Sequence, residues 1–160
     1  KDRILTMHRA EKVSDQKQLV KLIKNISKIN AKYNIIFPAH PRLRKKLHTA
    51  SFPKNLFIIK PQSYLSFLYL IKNAEIIITD SGGITEEASI LDIPCLTLRE
   101  TTERPETVTL GTNILVGTDI EKLSKNLKII FKGKWKQNKR IEKWDGNTSR
   151  RILKILKSIL

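Results

Sequence analysis

Six short aliphatic runs punctuate the chain, at residues 4–7, 33–37, 56–59, 76–79, 95–98 and 113–116, and helical stripes fill most of the gaps between them. The runs are close to continuously apolar rather than alternating, which is the pattern of strands covered on both faces. Strands of that kind are parallel, and parallel strands need crossover helices. The sequence therefore predicts an open, doubly wound α/β sheet of six parallel strands with right-handed βαβ crossovers, a Rossmann-like fold. In the first gap Leu19, Leu22, Ile23, Ile26 and Ile29 fall on one stripe with lysines opposite, and Ser14 is a candidate N-cap. Similar stripes run over residues 64–71, 84–91, 120–131 and 152–159. Residues 133–147, basic and poor in aliphatics, read as a loop or broken helix.

A length of 160 residues suits one domain with a real core. With 40% hydrophobic residues and no run of about 18 apolar residues, the chain is neither disordered nor membrane-spanning. Cys95 is the only cysteine, which excludes an internal disulfide and fits a reducing, cytoplasmic compartment. No Cys/His cluster has zinc spacing, so no metal is expected. The chain starts at Lys1 without a signal-peptide pattern and enters a strand at once, which suggests a segment of a longer protein.

The net charge of +16 raises the question of nucleic acid, and its distribution argues against it. Residues 1–73 hold 16 basic and 3 acidic side chains, residues 74–120 hold 2 and 9, and residues 121–160 hold 13 and 3. The middle is acidic. The 22 lysines against 9 arginines read as lysine-coated helices rather than as a nucleic-acid surface.

Ligands of doubly wound sheets bind beyond the carboxyl ends of the strands, so those loops are where chemistry is expected. The most informative follows the fourth run, where Thr79, Asp80, Ser81, Gly82 and Gly83 lead into a helix carrying Glu86 and Glu87. It reads either as a phosphate cradle, with backbone N–H groups and the helix dipole aimed at an anion, or as a tight turn with carboxylates complementing that dipole. A carboxylate so close to a phosphate needs another use, and an ionised one can accept two hydrogen bonds from a ribose diol. Glu87 is assigned that use, with Glu86 packing or capping. Arg99 and Arg104 are the only cations of the acidic segment. Arg104 is a candidate phosphate fork, or else a loop ion pair with Glu103 or Glu106. His8 and Arg9 after the first run, and His40 after the second, fall on the same edge and suit a diphosphate or a structural role. Ser81 lacks the preceding glycine of a nucleophile elbow.

Three motifs together carry a resemblance. They are Thr6-x-His8-Arg9-x-Glu11, Thr79-Asp80-Ser81-Gly82-Gly83-Ile84-x-Glu86-Glu87-Ala88, and Arg99-x-Thr101-Thr102-Glu103-Arg104-Pro105-Glu106. In this order and spacing the chain resembles the non-hydrolysing UDP-N-acetylglucosamine 2-epimerases, and the Thr-Thr-Glu-Arg-Pro-Glu run is the most specific part. The resemblance covers nearly the whole chain but only the C-terminal half of the family's two-domain GT-B fold.

It implies a single UDP-binding domain over residues 1–160, whose N-terminal catalytic partner domain is absent. Residues 149–160 would form a helix crossing toward that domain, leaving the Ile152, Ile155 and Ile159 stripe without its partner. The family interconverts UDP-N-acetylglucosamine and UDP-N-acetylmannosamine, for cell-surface polysaccharide, by eliminating UDP and adding it back. Carried over, Ser81, Gly82 and Gly83 hold the diphosphate, Glu87 the ribose, and Arg104 the phosphate or sugar region. Phe67, in the segment 62–67, contacts the uracil. His8 stabilises charge on the leaving diphosphate. Arg9, Glu11 and His40 are regulatory or supporting residues. The acid/base carboxylates for C2 belong to the absent domain, so the fragment is expected to be inactive alone. A UDP-sugar substrate, a homodimer, no cofactor and no membrane partner complete the expectation. Two positions depart from the family pattern, Lys12 where Asn is usual and Thr85 where Gln is usual. The alternatives are the donor domain of another GT-B glycosyltransferase and a non-catalytic nucleotide sensor.

Overall fold

A computed structural model describes residues 2–8 and 15–159. Six strands alternate with helices: β1 (Arg3–Thr6), α1 (Gln16–Ile29), β2 (Ile35–Pro38), α2 (Pro41–Leu47), β3 (Leu56–Ile59), α3 (Tyr64–Asn73), β4 (Ile76–Thr79), α4 (Gly82–Ile90), β5 (Cys95–Thr97), α5 (Pro105–Thr109) and β6 (Asn113–Leu115). Helices α6 (Ile120–Phe131) and α7 (Thr148–Ile159) follow. All pairings are parallel, in the order β3-β2-β1-β4-β5-β6. The order reverses between β1 and β4, the crevice where doubly wound sheets take their ligands.

The continuous hydrophobicity of the strands has a direct cause. Leu5, Ile76 and Ile78 face one layer, against Leu19, Ile23 and Ile26 of α1 and Leu123 and Leu127 of α6. Their neighbours Ile4 and Ile77 face the other, against Ile71 of α3 and Ile84 and Ala88 of α4. Side chains alternate across a strand, so a strand with two covered faces is apolar at every position. Each buried aliphatic side chain contributes about 1.5–3 kcal/mol.

Local chemistry sets the helix starts. The Asp15 carboxylate accepts from the Lys17 N–H at 2.9 Å, so Asp15 caps α1 one residue after the expected Ser14, which lies outside the described residues. Asp119 caps α6 in the same way through the N–H groups of Glu121 and Lys122. Two helices were not anticipated, α2 and α5, with 7 and 5 residues. Both carry proline in the first turn, a start signal that such short segments supply without the periodicity that would confirm it. Residues 133–147 form a strap without a helix. The Trp135 indole donates to the Thr112 carbonyl at 2.9 Å, and the Lys139 N–H donates to the Leu110 carbonyl at 2.8 Å.

Under the strap, Gly111 is held by packing. A Cβ there would collide with Ser89 Oγ and lie 2.7 Å from the Thr107 carbonyl oxygen. The hydroxyl can rotate away, but the backbone oxygen cannot. Gly111→Ala is therefore expected to destabilise the fold by about 1–3 kcal/mol in urea denaturation. An unchanged midpoint would contradict this close approach.

Candidate functional site

The site begins where β1 and β4 end side by side. Thr6 pairs with Thr79 in the ladder, and their hydroxyls meet at 2.6 Å. The Ser81 N–H donates to the Thr79 hydroxyl at 3.0 Å, turning the chain out of the strand. The next side chain, Asp80, is almost fully buried, and its two oxygens accept from the His8 N–H at 2.9 and 3.0 Å. The first and fourth loops are thereby tied together across more than seventy residues of sequence.

Helix α4 opens this crevice with its N-terminus. Ser81 is the N-cap residue, and its hydroxyl makes no capping bond. Neither Gly82 nor Gly83 has positive φ. A Cβ on Gly83 would meet nothing within 4 Å, and one on Gly82 would only touch Glu103 Oε2 at 3.8 Å. Backbone strain and internal packing therefore leave both glycines unexplained. What they supply is open access to the N–H groups of the first turn. No carboxylate lies in that first turn, because Glu86 and Glu87 sit further along the helix. The tight-turn reading with dipole-complementing carboxylates is thus corrected.

The loop after β5 closes the other side. Arg104 Nε lies 2.7 Å from Glu86 Oε1, so its carboxylate partner comes from α4 and not from Glu103 or Glu106. Glu86 accordingly anchors Arg104 rather than packing or capping. Glu103 goes to Arg99 instead, in a bidentate pair at 2.7 and 2.8 Å that holds the guanidinium in its charged form. Glu86 and Arg104 are both partly exposed, and pairs of that kind contribute about 0–1 kcal/mol. A ligand phosphate can displace such a carboxylate at little cost.

Glu87 points elsewhere. Burial raises its pKa above the ordinary carboxylate range, and a hydrogen bond with Tyr64 at the start of α3 works against that rise. Tyr64, 65% exposed, was missed in the sequence, where an aromatic at a helix start carries no distinguishing pattern. Phe67, one turn on, is half-buried and packs against the core layer of Ile71 and Ile77.

His8 and His40 both line an open cleft of about 720 Å³, with Met7, Arg42, Leu43, Lys45 and Lys46. His40 also begins α2, its Nδ1 accepting from the Arg42 N–H at 3.4 Å. Arg9 and Glu11 lie outside the described residues. Among the described residues no group of three His, Cys, Asp or Glu side chains is placed to hold a metal ion. Cys95 is buried, its thiol pushed up to about 12, too high for a nucleophile at neutral pH. No described helix is long and apolar enough to cross a membrane.

Against known proteins, the family model described as UDP-N-acetylglucosamine 2-epimerase matches residues 3–157. The UDP-N-acetylglucosamine 2-epimerase of Methanocaldococcus jannaschii is 45% identical over 161 residues, covering 96% of this chain and 43% of that protein. Its crystal structure in complex with UDP-GlcNAc and UDP superposes with a TM-score of 0.80 at 43% identity, over 98% of this chain and 45% of the other. The Neisseria meningitidis UDP-GlcNAc 2-epimerase bound to UDP-GlcNAc gives 0.81 at 32% identity, over 98% and 44%. The chain thus spans less than half the length of the relatives it matches.

Proposed function

The chain belongs to the UDP-N-acetylglucosamine 2-epimerase family, and from that membership we propose that it is the UDP-binding wall of such an enzyme. The observation that carries this reading is the open N-terminus of α4. Two glycines there serve no need of the fold, and the side chains flanking them suit the two ends of a nucleoside diphosphate. The diphosphate lies on the N–H groups of Gly82 and Gly83 with the Ser81 hydroxyl beside it. Arg104 exchanges Glu86 for a phosphate oxygen. Glu87 accepts from the ribose hydroxyls, and the uracil lies over the 62–67 segment against Phe67.

In the reaction of the whole enzyme, UDP is eliminated from UDP-N-acetylglucosamine and added back to give UDP-N-acetylmannosamine. The contribution of this half is to hold the departing diphosphate. His8, at the end of β1, donates toward the charge that develops as the C1–O bond breaks. The groups that move the C2 proton belong to the other wall of the cleft, in the N-terminal part of a two-domain GT-B fold. Helix α7 reaches toward that part. In support, it buries none of its residues, and Ile152, Ile155 and Ile159 are 51, 58 and 76% exposed. A cytoplasmic homodimer belongs to the same reading, as does a supporting or regulatory place for Arg9, Glu11 and His40.

Calorimetric titration with UDP tests the assignment. Saturable binding is expected, with Arg104→Ala at least tenfold weaker, because a charge-assisted hydrogen bond is worth about 1.5–3 kcal/mol. A folded chain that binds no UDP, or an Arg104→Ala variant that binds it equally well, would overturn the reading.

A further inference from the structure

We propose that Asp80 is the positioning residue for His8: its buried carboxylate grips the His8 backbone N–H and sets where the imidazole stands relative to the bound diphosphate. This rests on the functional reading above in its second part only. The contact itself is a property of the unliganded chain.

Pairing between β1 and β4 stops at Thr6 and Thr79, so no ladder bond holds the chain beyond that point. His8 is the second residue past the strand, and its side chain is exposed. An exposed histidine in a loop released from its sheet would sweep a wide volume. Here its amide is caught by both oxygens of one carboxylate, at 2.9 and 3.0 Å. The carboxylate is itself rigid. It follows Thr79, whose carbonyl accepts from the Leu98 N–H at 2.7 Å and whose hydroxyl is locked to Thr6. Arg99, held by Glu103, supplies compensating positive charge from the β5 side.

The arrangement asks for an aspartate in particular. Both oxygens accept from the His8 N–H, and asparagine would turn one of them into a donor aimed at another donor. A buried carboxylate is also costly unless something is gained from it. What is gained is a link from the loop carrying His8 to the loop carrying Ser81, Gly82 and Gly83, whose cradle then keeps a constant spacing from the imidazole.

The test is made on the whole 160-residue chain. Amide hydrogen exchange first reads the wild-type protein, where the His8 amide should be protected. Exchange there at the rate of a free peptide, with Ile77 and Ile78 protected, would overturn the proposal. In Asp80→Asn the His8 amide should lose at least tenfold of its protection while Ile77 and Ile78 keep theirs. Loss across β4 as well would mark Asp80 as merely structural and also overturn it. UDP titration reads the functional part. Asp80→Asn should weaken binding about tenfold, one charge-assisted hydrogen bond's worth, but less than twofold when introduced into His8→Ala, because the imidazole being positioned is gone. Additive losses would refute positioning. If the wild-type chain binds no UDP, or Glu87→Ala binds it normally, the functional reading fails, while the exchange result still decides the link between Asp80 and His8.

Discussion

Glu87→Ala should weaken UDP binding ten- to a hundredfold and leave inorganic pyrophosphate almost unaffected. A carboxylate accepting from both ribose hydroxyls makes charge-assisted bonds of about 1.5–3 kcal/mol, and pyrophosphate has no ribose to lose. An acid whose folded pKa is raised by burial subtracts stability once the pH exceeds its unfolded value, so at neutral pH the Glu87 carboxylate is a burden to the fold. A thermal melt of the variant separates a binding loss from unfolding. Calorimetry with the two ligands in parallel is the measurement. Equal losses for both would move Glu87 from the ribose to the phosphates and sink the assignment.

Gly83→Ala should separate binding from folding still more sharply. Nothing in the protein lies within 4 Å of the added methyl group, and the position is exposed in the first turn of α4. Alanine is a better helix former than glycine by up to about 1 kcal/mol, so Tm should hold or rise. Yet in the proposed binding mode the methyl group stands where a phosphate approaches the backbone, and UDP affinity is expected to fall at least tenfold, a loss of about 1.4 kcal/mol or more. The outcome is read from a thermal melt and a titration of the same sample. A variant that binds UDP like the wild type would mean that the glycine serves something other than close approach. Gly111→Ala is the contrasting case, since there the methyl group collides inside the protein and stability is the first thing lost.

Much of the site's composition was legible in the sequence. Strand ends place loops on one edge of a parallel sheet whatever the strand order, so the segments around His8, His40, Ser81 and Arg104 could be put together from hydrophobic runs alone. The angular offset of Glu86 and Glu87 on a helix likewise implies different neighbours, and in the fold Glu86 meets Arg104 while Glu87 turns toward Tyr64. Their partners were another matter. For an ion pair with Arg104, sequence proximity offers only Glu103 or Glu106, and the fold supplies Glu86 from the neighbouring element. Tyr64 beside Glu87, and Asp80 on the His8 amide, were out of reach for the same reason.

The sequence by itself determined the class of the fold, the six strands and the edge on which the site lies, because period and burial are local properties that each segment carries in its own residues. Only the tertiary structure decided that β1 lies beside β4, that Asp80 closes on His8, and that Gly83 of α4 faces open space. Those facts depend on the lateral order of strands and on which elements the crossovers bring into contact, and no single segment's pattern contains that information.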